Sequence, residues 1–153
     1  MPPKAIILLF YNMIRPIEYM DFHKSYMNLI NTFTRNPLPI TYEEFCKQLD
    51  KIQQQNAHIF VIEKDEIIIG TFKVIIETKL HNNFRSVGHI EDVVIHESYR
   101  KQGFGTLLIE HAKHICTENN CYKVVLACNK DNVNFYKHCG FIEKGAEMTI
   151  YLA

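Results

Sequence analysis

The feature that most constrains this chain is the stretch 89–106, which reads as a strand, a basic loop with two glycines, and a helix. Its Val-Val-Ile run at 93–95 is continuously apolar, as in a strand covered on both faces. The loop holds Gly103 and Gly105, and an amphipathic helix follows at once. A helix start offers unpaired N–H groups and partial positive charge, and glycines let the backbone approach a ligand closely. The stretch therefore predicts a pyrophosphate-binding loop.

Known phosphate-binding loops narrow that prediction. The loop is not a Walker A motif, because no Gly-Lys-Ser/Thr follows, and the dinucleotide fingerprint Gly-x-Gly-x-x-Gly is incomplete. An Arg/Gln-x-x-Gly-x-Gly/Ala loop placed directly after a strand resembles the coenzyme A loop of the GNAT superfamily of N-acetyltransferases. That resemblance implies a coenzyme A thioester as the ligand of the loop.

Composition and charge exclude several other classes of protein. A chain of 153 residues with 47% apolar residues is expected to form one globular domain, residues 1–153. Its 17 basic and 17 acidic residues give no net attraction to nucleic acid or to an anionic membrane. The apolar run 5–10 is too short to span a bilayer. The five cysteines lack Cys-x-x-Cys spacing, so we expect reduced thiols in the cytoplasm and no metal site.

Hydrophobic periodicity predicts strands and helices that mix along the chain. Predicted strands cover residues 5–14, 57–63, 67–78, the first part of the stretch 89–106, 122–127 and 141–152. Predicted helices cover 18–33, 41–55, the segment after Gly105 and a short one over 129–140 that ends at a glycine. Thr41 and Glu44 form a capping box that opens the second helix. Early hairpins followed by a strand–helix–strand crossover indicate an α+β (mixed α/β) domain, with its ligand at the carboxyl end of the crossover strand.

Further motifs resemble one family within the superfamily. Asn129 with Tyr136 seven residues later, followed by Gly-Phe at 140–141, resembles the segment that closes GNAT coenzyme sites. His-Ile-Glu-Asp-Val at 89–93, Cys-Tyr-Lys at 121–123 and Asn-Val-Asn-Phe-Tyr at 132–136 are similar to the glucosamine 6-phosphate N-acetyltransferases. The resemblance implies a mostly antiparallel, twisted central sheet flanked by helices. It also implies acetyl transfer from acetyl-CoA to D-glucosamine 6-phosphate, a cytoplasmic step towards UDP-N-acetylglucosamine, in a homodimer with sugar sites at the subunit interface.

The chemistry needs groups for the amine proton, the thioester oxygen and the departing thiolate. Glu91 and Asp92 are the candidates for substrate orientation first and for a water-mediated base second, although hydrogen bonding to loop amides would also explain them. Consecutive strand residues face opposite ways, so the two share one role only if a bulge intervenes. Tyr136 is the candidate acid for the thiolate, with packing on the core as its alternative. The residues expected at the coenzyme are Val93, Val94, Ile95, Arg100, Lys101, Gln102, Gly103, Phe104, Gly105, Thr106, Asn129, Asn132 and Tyr136.

The sugar phosphate needs fixed positive charge. Besides Glu91 and Asp92, the expected substrate residues are Thr34, Lys79, His81, Tyr122 and Lys123. Lys123 gains most from the resemblance, while each of the others alone would be an ordinary surface residue. Two positions depart from the family pattern: Ala127 stands where an acidic residue is common, and Tyr151 where an arginine is common.

Two other functions remain open from the sequence. The same coenzyme site could serve another small amine or a protein N-terminus, and a catalytically silent acyl-CoA-binding module would keep the loop without turnover. Intact Glu91, Asp92 and Tyr136 favour an enzyme. The sequence therefore predicts an acetyl-CoA-dependent N-acetyltransferase that works by direct attack in a ternary complex.

Overall fold

A five-stranded sheet with the strand order β1-β2-β3-β4-β5 lies at the centre of the computed structural model, which describes residues 13–152. The strands are β1 (Ile14–Pro16), β2 (Ala57–Lys64), β3 (Ile67–Glu77), β4 (Ser86–Ile95) and β5 (Cys121–Val125). The α-helices are α1 (Tyr26–Ile30), α2 (Tyr42–Gln54), α3 (Phe104–Glu118) and α4 (Val133–His138). Strands β1 to β4 pair antiparallel and β5 pairs parallel with β4, which confirms the predicted mixed sheet. None of the helices in this part of the chain has the length and hydropathy needed to cross a membrane.

The two sheet faces carry separate apolar layers. On one face, α3 buries Phe104, Leu108 and Ala112 against sheet residues that include Phe72 and Val74. On the other face, α1 and α2 bury an apolar layer of their own. That layer includes Tyr26, Leu29, Phe45, Leu49, Val61 and Val94. Each fully buried side chain of this size stabilises the fold by about 1.5–3 kcal/mol, so both layers hold the sheet between helices.

The predicted hairpin and capping box are both confirmed. Strands β2 and β3 are joined at Asp65 and Glu66, whose φ angles of 51° and 61° suit a two-residue turn between twisted antiparallel strands. The Thr41 hydroxyl accepts a hydrogen bond from the Glu44 amide at 3.2 Å, and the Glu44 carboxylate accepts one from the Thr41 amide at 2.7 Å. The strand predicted over 5–14 lies almost wholly outside the described residues, which begin at residue 13.

The single helix predicted over 18–33 is wrong. The segment is a 3₁₀ helix (Tyr19–Lys24), then α1, then a second 3₁₀ turn (Asn31–Phe33). The break falls at Ser25, whose φ of 63° is left-handed and ends a helix. Asp21 holds the first 3₁₀ helix in place, because its fully buried carboxylate accepts hydrogen bonds of 2.8 and 2.7 Å from the Arg15 guanidinium. Apolar spacing cannot reveal such a tertiary ion pair.

The final strand predicted over 141–152 is also wrong. After α4 the chain forms the predicted glycine stop, in which the Phe141 amide donates to the Tyr136 carbonyl at 3.0 Å and Gly140 has a φ of 91°. Residues 142–152 then lie on the surface without strand pairing, and Ile142, Met148, Ile150 and Leu152 are each more than 80% exposed. A strand needs a neighbouring backbone, and no described strand of the same chain pairs with this segment.

Candidate active site

The parallel pair β4–β5 separates partway along its length. Its register runs from Ser86 opposite Cys121 to His89 opposite Val125, and β4 then continues to Ile95 without β5. β5 is the neighbour of β4 on the side away from β3, so the β4 backbone beyond His89 faces a gap there. Amide and carbonyl groups along such an edge need partners. The gap can therefore accept an extended ligand that carries amides of its own.

A β-bulge lies in β4 beside this gap. Lys73 of β3 lies opposite Glu91, whereas Thr71, two residues earlier, lies opposite Val94, so β4 contains one extra residue. Asp92 has a φ of 53°, a left-handed conformation that aspartate tolerates better than most residues. The sequence allowed Glu91 and Asp92 a shared role only with a bulge, and the structure contains that bulge.

A cavity of about 250 Å³ lies where β4 and β5 diverge. Its lining residues come from β4, the end of β5, α4 and two more distant segments. They are Phe33, Ile90, Glu91, Asp92, Val93, Ala127, Cys128, Asn129, Asn132, Tyr136 and Glu147. The structure thus brings together all three predicted catalytic residues with Val93, Asn129 and Asn132, which are further residues predicted at the coenzyme. The Asp92 carboxylate also forms an ion pair with the Lys73 ammonium at 2.9 Å, which holds the Asp92 side chain in place at the bulge.

Tyr136 is held in this cavity by the packing of α4. Phe135 lies against α3, where a Cβ on Gly105 would be 3.1 Å from its ring, so the two helices approach closely because residue 105 is glycine. The Lys113 ammonium donates to the Cys139 carbonyl at 3.1 Å and ties the end of α4 to α3. Burial, followed by the nearby Cys128 and Cys139 thiols, raises the pKa of Tyr136 to about 12. The phenol therefore keeps its proton at any physiological pH and can donate it.

The predicted phosphate loop lies directly after β4. Gly103 has a φ of 90°, which favours glycine, and no side chain caps the first amides of α3. The Arg100 Nε donates to the Ile95 carbonyl at 3.0 Å, and the Gln102 amide donates to the Ser98 carbonyl at 3.1 Å. Neither bond caps the start of α3, where the backbone amides of a helix and its partial positive charge suit a phosphate.

The other five candidate substrate residues do not line the cavity that contains Glu91 and Asp92. His81 lies near Tyr122, with ring centroids 6.3 Å apart, and the Lys123 ammonium lies 5.5 Å from the Tyr122 ring centroid. Lys79 forms an ion pair with Glu77, whose carboxylate also contacts the His89 ring at 2.7 Å. Thr34 is exposed at the end of a 3₁₀ turn. These candidates remain predictions.

Five residues of the cavity are not among the predicted site residues: Phe33, Ile90, Ala127, Cys128 and Glu147. Ile90 lies within the His-Ile-Glu-Asp-Val motif, and Ala127 was noted only as a departure from the family pattern. Cys128 directly precedes the predicted Asn129, so proximity in sequence was its only signal. Phe33 and Glu147 come from segments whose structure was predicted wrongly, and nothing in their local sequence distinguishes them. Within residues 13–152, no group of three His, Cys, Asp or Glu side chains is placed to hold a metal ion.

Comparisons with known proteins agree with this geometry. The sequence model of the Acetyltransferase (GNAT) family matches residues 22–141. Glucosamine 6-phosphate N-acetyltransferase 1 of Dictyostelium discoideum is 34% identical over 142 residues, which are 90% of this chain and 89% of that protein. The crystal structure of glucosamine-6-phosphate N-acetyltransferase from Arabidopsis thaliana has a TM-score of 0.86 and 33% identity, over 92% of this chain and 97% of that one. An acetyltransferase structure from Trypanosoma brucei also has a TM-score of 0.86, with 30% identity over 91% of this chain and 98% of that one.

Proposed function

The chain belongs to the GNAT family of acetyltransferases, and from that premise we propose that it acetylates the amine of D-glucosamine 6-phosphate with acetyl-CoA. One observation carries the proposal: the bulge with Glu91 and Asp92 and the helix with Tyr136 face the same cavity. Relatives similar over about nine-tenths of this chain carry the name glucosamine 6-phosphate N-acetyltransferase. The product would be N-acetylglucosamine 6-phosphate, an intermediate towards UDP-N-acetylglucosamine.

The residues available for coenzyme A fit its two polar parts. Its pyrophosphate matches the start of α3, which no side chain caps and which follows the cations of Arg100 and Lys101 in the loop. Its pantetheine arm carries amides, which match the open edge of β4 from Val93 to Ile95 and the amide side chains of Asn129 and Asn132. The arm would therefore enter the gap between β4 and β5, with its thioester end in the cavity.

Acetyl-CoA supplies the thioester whose carbonyl carbon the amine attacks, forming the C–N bond and breaking the C–S bond. An amine is largely protonated at neutral pH, so Glu91, directly or through water, takes its proton before attack. The backbone amides near Val93 and Val94 donate to the carbonyl oxygen as charge develops on it. Tyr136 donates a hydrogen bond from its phenol to the departing thiolate.

Asp92 has a different part in this scheme from Glu91. Its carboxylate is already paired with Lys73, so it is the weaker candidate for accepting a proton and the better one for orienting the sugar. The Glu91 side chain forms no ion pair within the described residues and is exposed to the cavity. The bulge thus gives two adjacent carboxylates two separate tasks.

The phosphate of the acceptor requires cations that the cavity itself lacks. No lysine or arginine is among its described lining residues. The sheet register places Lys123 opposite Val87, four residues before Glu91 in β4 and about 13 Å away along the strand. Lys79, His81 and Lys123 can therefore reach a phosphate only at the far side of the sugar, or from a second subunit.

The exposed C-terminal segment supports a homodimer as the second element of the proposal. Five large hydrophobic side chains from Ile142 to Leu152 are more than 80% exposed, which is unusual for a surface that stays free. A second copy packed on this segment would bury them next to the cavity that Glu147 lines. The sugar site would then lie at the subunit interface, with its phosphate cations drawn from both chains.

Steady-state acetylation across a panel of amines tests the proposal. Glucosamine 6-phosphate, glucosamine, a polyamine, an aminoglycoside and a peptide N-terminus are compared with acetyl-CoA as donor. We expect strong preference for glucosamine 6-phosphate over glucosamine, because the phosphate contributes charge-assisted hydrogen bonds. Turnover of another amine instead would contradict the acceptor. Binding of acetyl-CoA without any turnover would contradict catalysis altogether.

A further inference from the structure

The cavity is more acidic than the predicted residues alone would make it. Glu147 lines it together with Glu91 and Asp92, so three carboxylates surround about 250 Å³ of space. Lys73 forms an ion pair with Asp92 at 2.9 Å, and the described ion pairs include neither Glu91 nor Glu147. Two carboxylates thus face the cavity without a counter-charge from residues 13–152.

The backbone after α4 brings Glu147 to this position. Gly140, with a φ of 91°, turns the chain out of α4, and the ring of Phe141 packs on Tyr136 with centroids 6.0 Å apart. Gly145, with a φ of 77°, supplies a second left-handed turn two residues before Glu147. Between 142 and 152, Glu147 is the residue that lines the cavity. The segment therefore presents one carboxylate to the site and leaves its apolar side chains outside.

The chemistry of the acceptor explains why such a carboxylate would be there. The amine arrives as an ammonium group, which has three N–H donors and no acceptor. Glu91 approaches it from the sheet, and Glu147 approaches from the C-terminal segment. A protonated amine bound between them is stabilised by charge-assisted hydrogen bonds, whereas a hydroxyl at the same place gains no charge attraction. The Thr149 hydroxyl donates a hydrogen bond to the Glu147 carboxylate at 3.4 Å, and a bond this long is weak enough for the amine to displace it.

We propose that Glu147 binds the protonated amine of the acceptor opposite Glu91 and so selects an amino sugar phosphate over its hydroxyl analogue. The inference rests on the proposed function, since it names the group that recognises that acceptor. Glu147 acts on binding before the proton leaves. Its removal should therefore raise KM for the acceptor far more than it lowers kcat.

The test compares Glu147→Gln with the wild-type enzyme on two ligands that differ only at carbon 2. For glucosamine 6-phosphate, we expect KM to rise by about 10- to 150-fold, the range for losing a hydrogen bond to a charged group. For glucose 6-phosphate, which has a hydroxyl in place of the amine, we expect the dissociation constant to change by less than about twofold, because no charge attraction is lost. Acetyl-CoA affinity and Tm should stay at their wild-type values.

Glu143→Gln is the matched control. Glu143 lies four residues earlier in the same segment, does not line the cavity and forms an exposed ion pair with Lys137 at 2.7 Å. Exposed pairs of this kind contribute about 0–1 kcal/mol, so the kinetic constants should not change. Glu147→Asp keeps the charge and should recover part of the lost affinity.

The outcomes separate this inference from the proposed function. Unchanged KM in Glu147→Gln, with normal wild-type turnover of glucosamine 6-phosphate, would overturn the role of Glu147 and leave the acetyltransferase intact. Equal weakening of glucosamine 6-phosphate and glucose 6-phosphate would also overturn it, because the effect would then not follow the amine charge. A wild-type enzyme that does not turn over glucosamine 6-phosphate would overturn the proposed function, and the role of Glu147 with it.

Discussion

Removing the Tyr136 hydroxyl tests how the departing thiolate is stabilised. In Tyr136→Phe the ring remains, so its contacts with Phe135 at 4.9 Å and Phe141 at 6.0 Å between centroids should persist. The change deletes one donor from the cavity and adds no charge. We therefore expect an effect on kcat, with acetyl-CoA affinity and Tm close to wild type.

The raised pKa of Tyr136 sets the size of that effect. At about 12 it lies about 3.5 units above the ordinary thiol value of about 8.5, which makes complete proton transfer to the thiolate uphill by about 5 kcal/mol. A hydrogen bond from the neutral phenol to the developing anion has no such cost and stabilises it by about 1.5–3 kcal/mol. We expect kcat to fall by about 10- to 150-fold, mostly below the 10²–10⁴-fold range for a full general acid.

The assay is single-turnover acetyl transfer as a function of pH, followed by thiol release. Because a raised pKa keeps the phenol protonated, its donation should persist from neutral pH up to about pH 11, and the wild-type rate should show no alkaline decline due to Tyr136 in that window. Tyr99→Phe is the matched control, because Tyr99 directly precedes the phosphate loop and does not line the cavity. Unchanged kcat in Tyr136→Phe would remove Tyr136 from the reaction. A loss beyond about 10³-fold would refute partial donation in favour of full proton transfer.

Three further changes test the parts of the structure around the site. Lys123→Ala should raise KM for glucosamine 6-phosphate by about 10- to 150-fold with little change for acetyl-CoA, if this ammonium binds the phosphate; an equal rise for both substrates would argue against it. Gly105→Ala places a Cβ 3.1 Å from the Phe135 ring. Steady-state kcat should therefore fall by about two- to tenfold, with calorimetric Tm maintained. A fall in Tm would indicate a folding defect instead. Asp21→Asn removes the charge that the Arg15 guanidinium contacts at 2.7 Å, and should destabilise the fold by about 3 kcal/mol. Its Tm should drop by about 6–12 °C, and an unchanged value would show that the pair is neutral in energy.

Local patterns predicted most of the sheet and the helices that carry its core. The Thr41–Glu44 capping box and the glycine stop at Gly140 depend on neighbours within a few residues, so the sequence alone contains the necessary information. The conformation of the loop at Gly103 also depends only on nearby residues, because it consists of a left-handed φ followed by a helix start. These elements were predicted correctly for the reasons given.

Tertiary interactions account for the two wrong segments. The helix predicted over 18–33 has suitable apolar spacing, but the buried Asp21–Arg15 pair and the left-handed Ser25 divide it. The segment 141–152 has the residues of a strand, but it pairs with no strand among residues 13–152. Neither outcome follows from the apolar spacing within the segment itself.

Part of the candidate site was predictable and part was not. Glu91, Asp92 and Tyr136 were found because they lie in motifs similar to a known family, and the structure places all three on one cavity. Phe33 and Glu147 lie in the two wrongly predicted segments, so no local pattern pointed to them. Residues brought to a site by tertiary folding alone are the ones that a single sequence conceals.

The bulge at Asp92 directs the carboxylates to the cavity without changing the register on either side of it. In a regular strand Glu91 and Asp92 would point to opposite faces of the sheet, and only one of them would reach the cavity. Deleting Asp92 would place Val93 opposite Phe72 and leave Val94 opposite Thr71, so Val94 would keep its place in the apolar layer under α1 and α2. The ladder up to Ile95 would also keep its pairing. We therefore expect the deletion to preserve the core and to remove one carboxylate from the cavity, so the bulge serves the site and the fold does not depend on it.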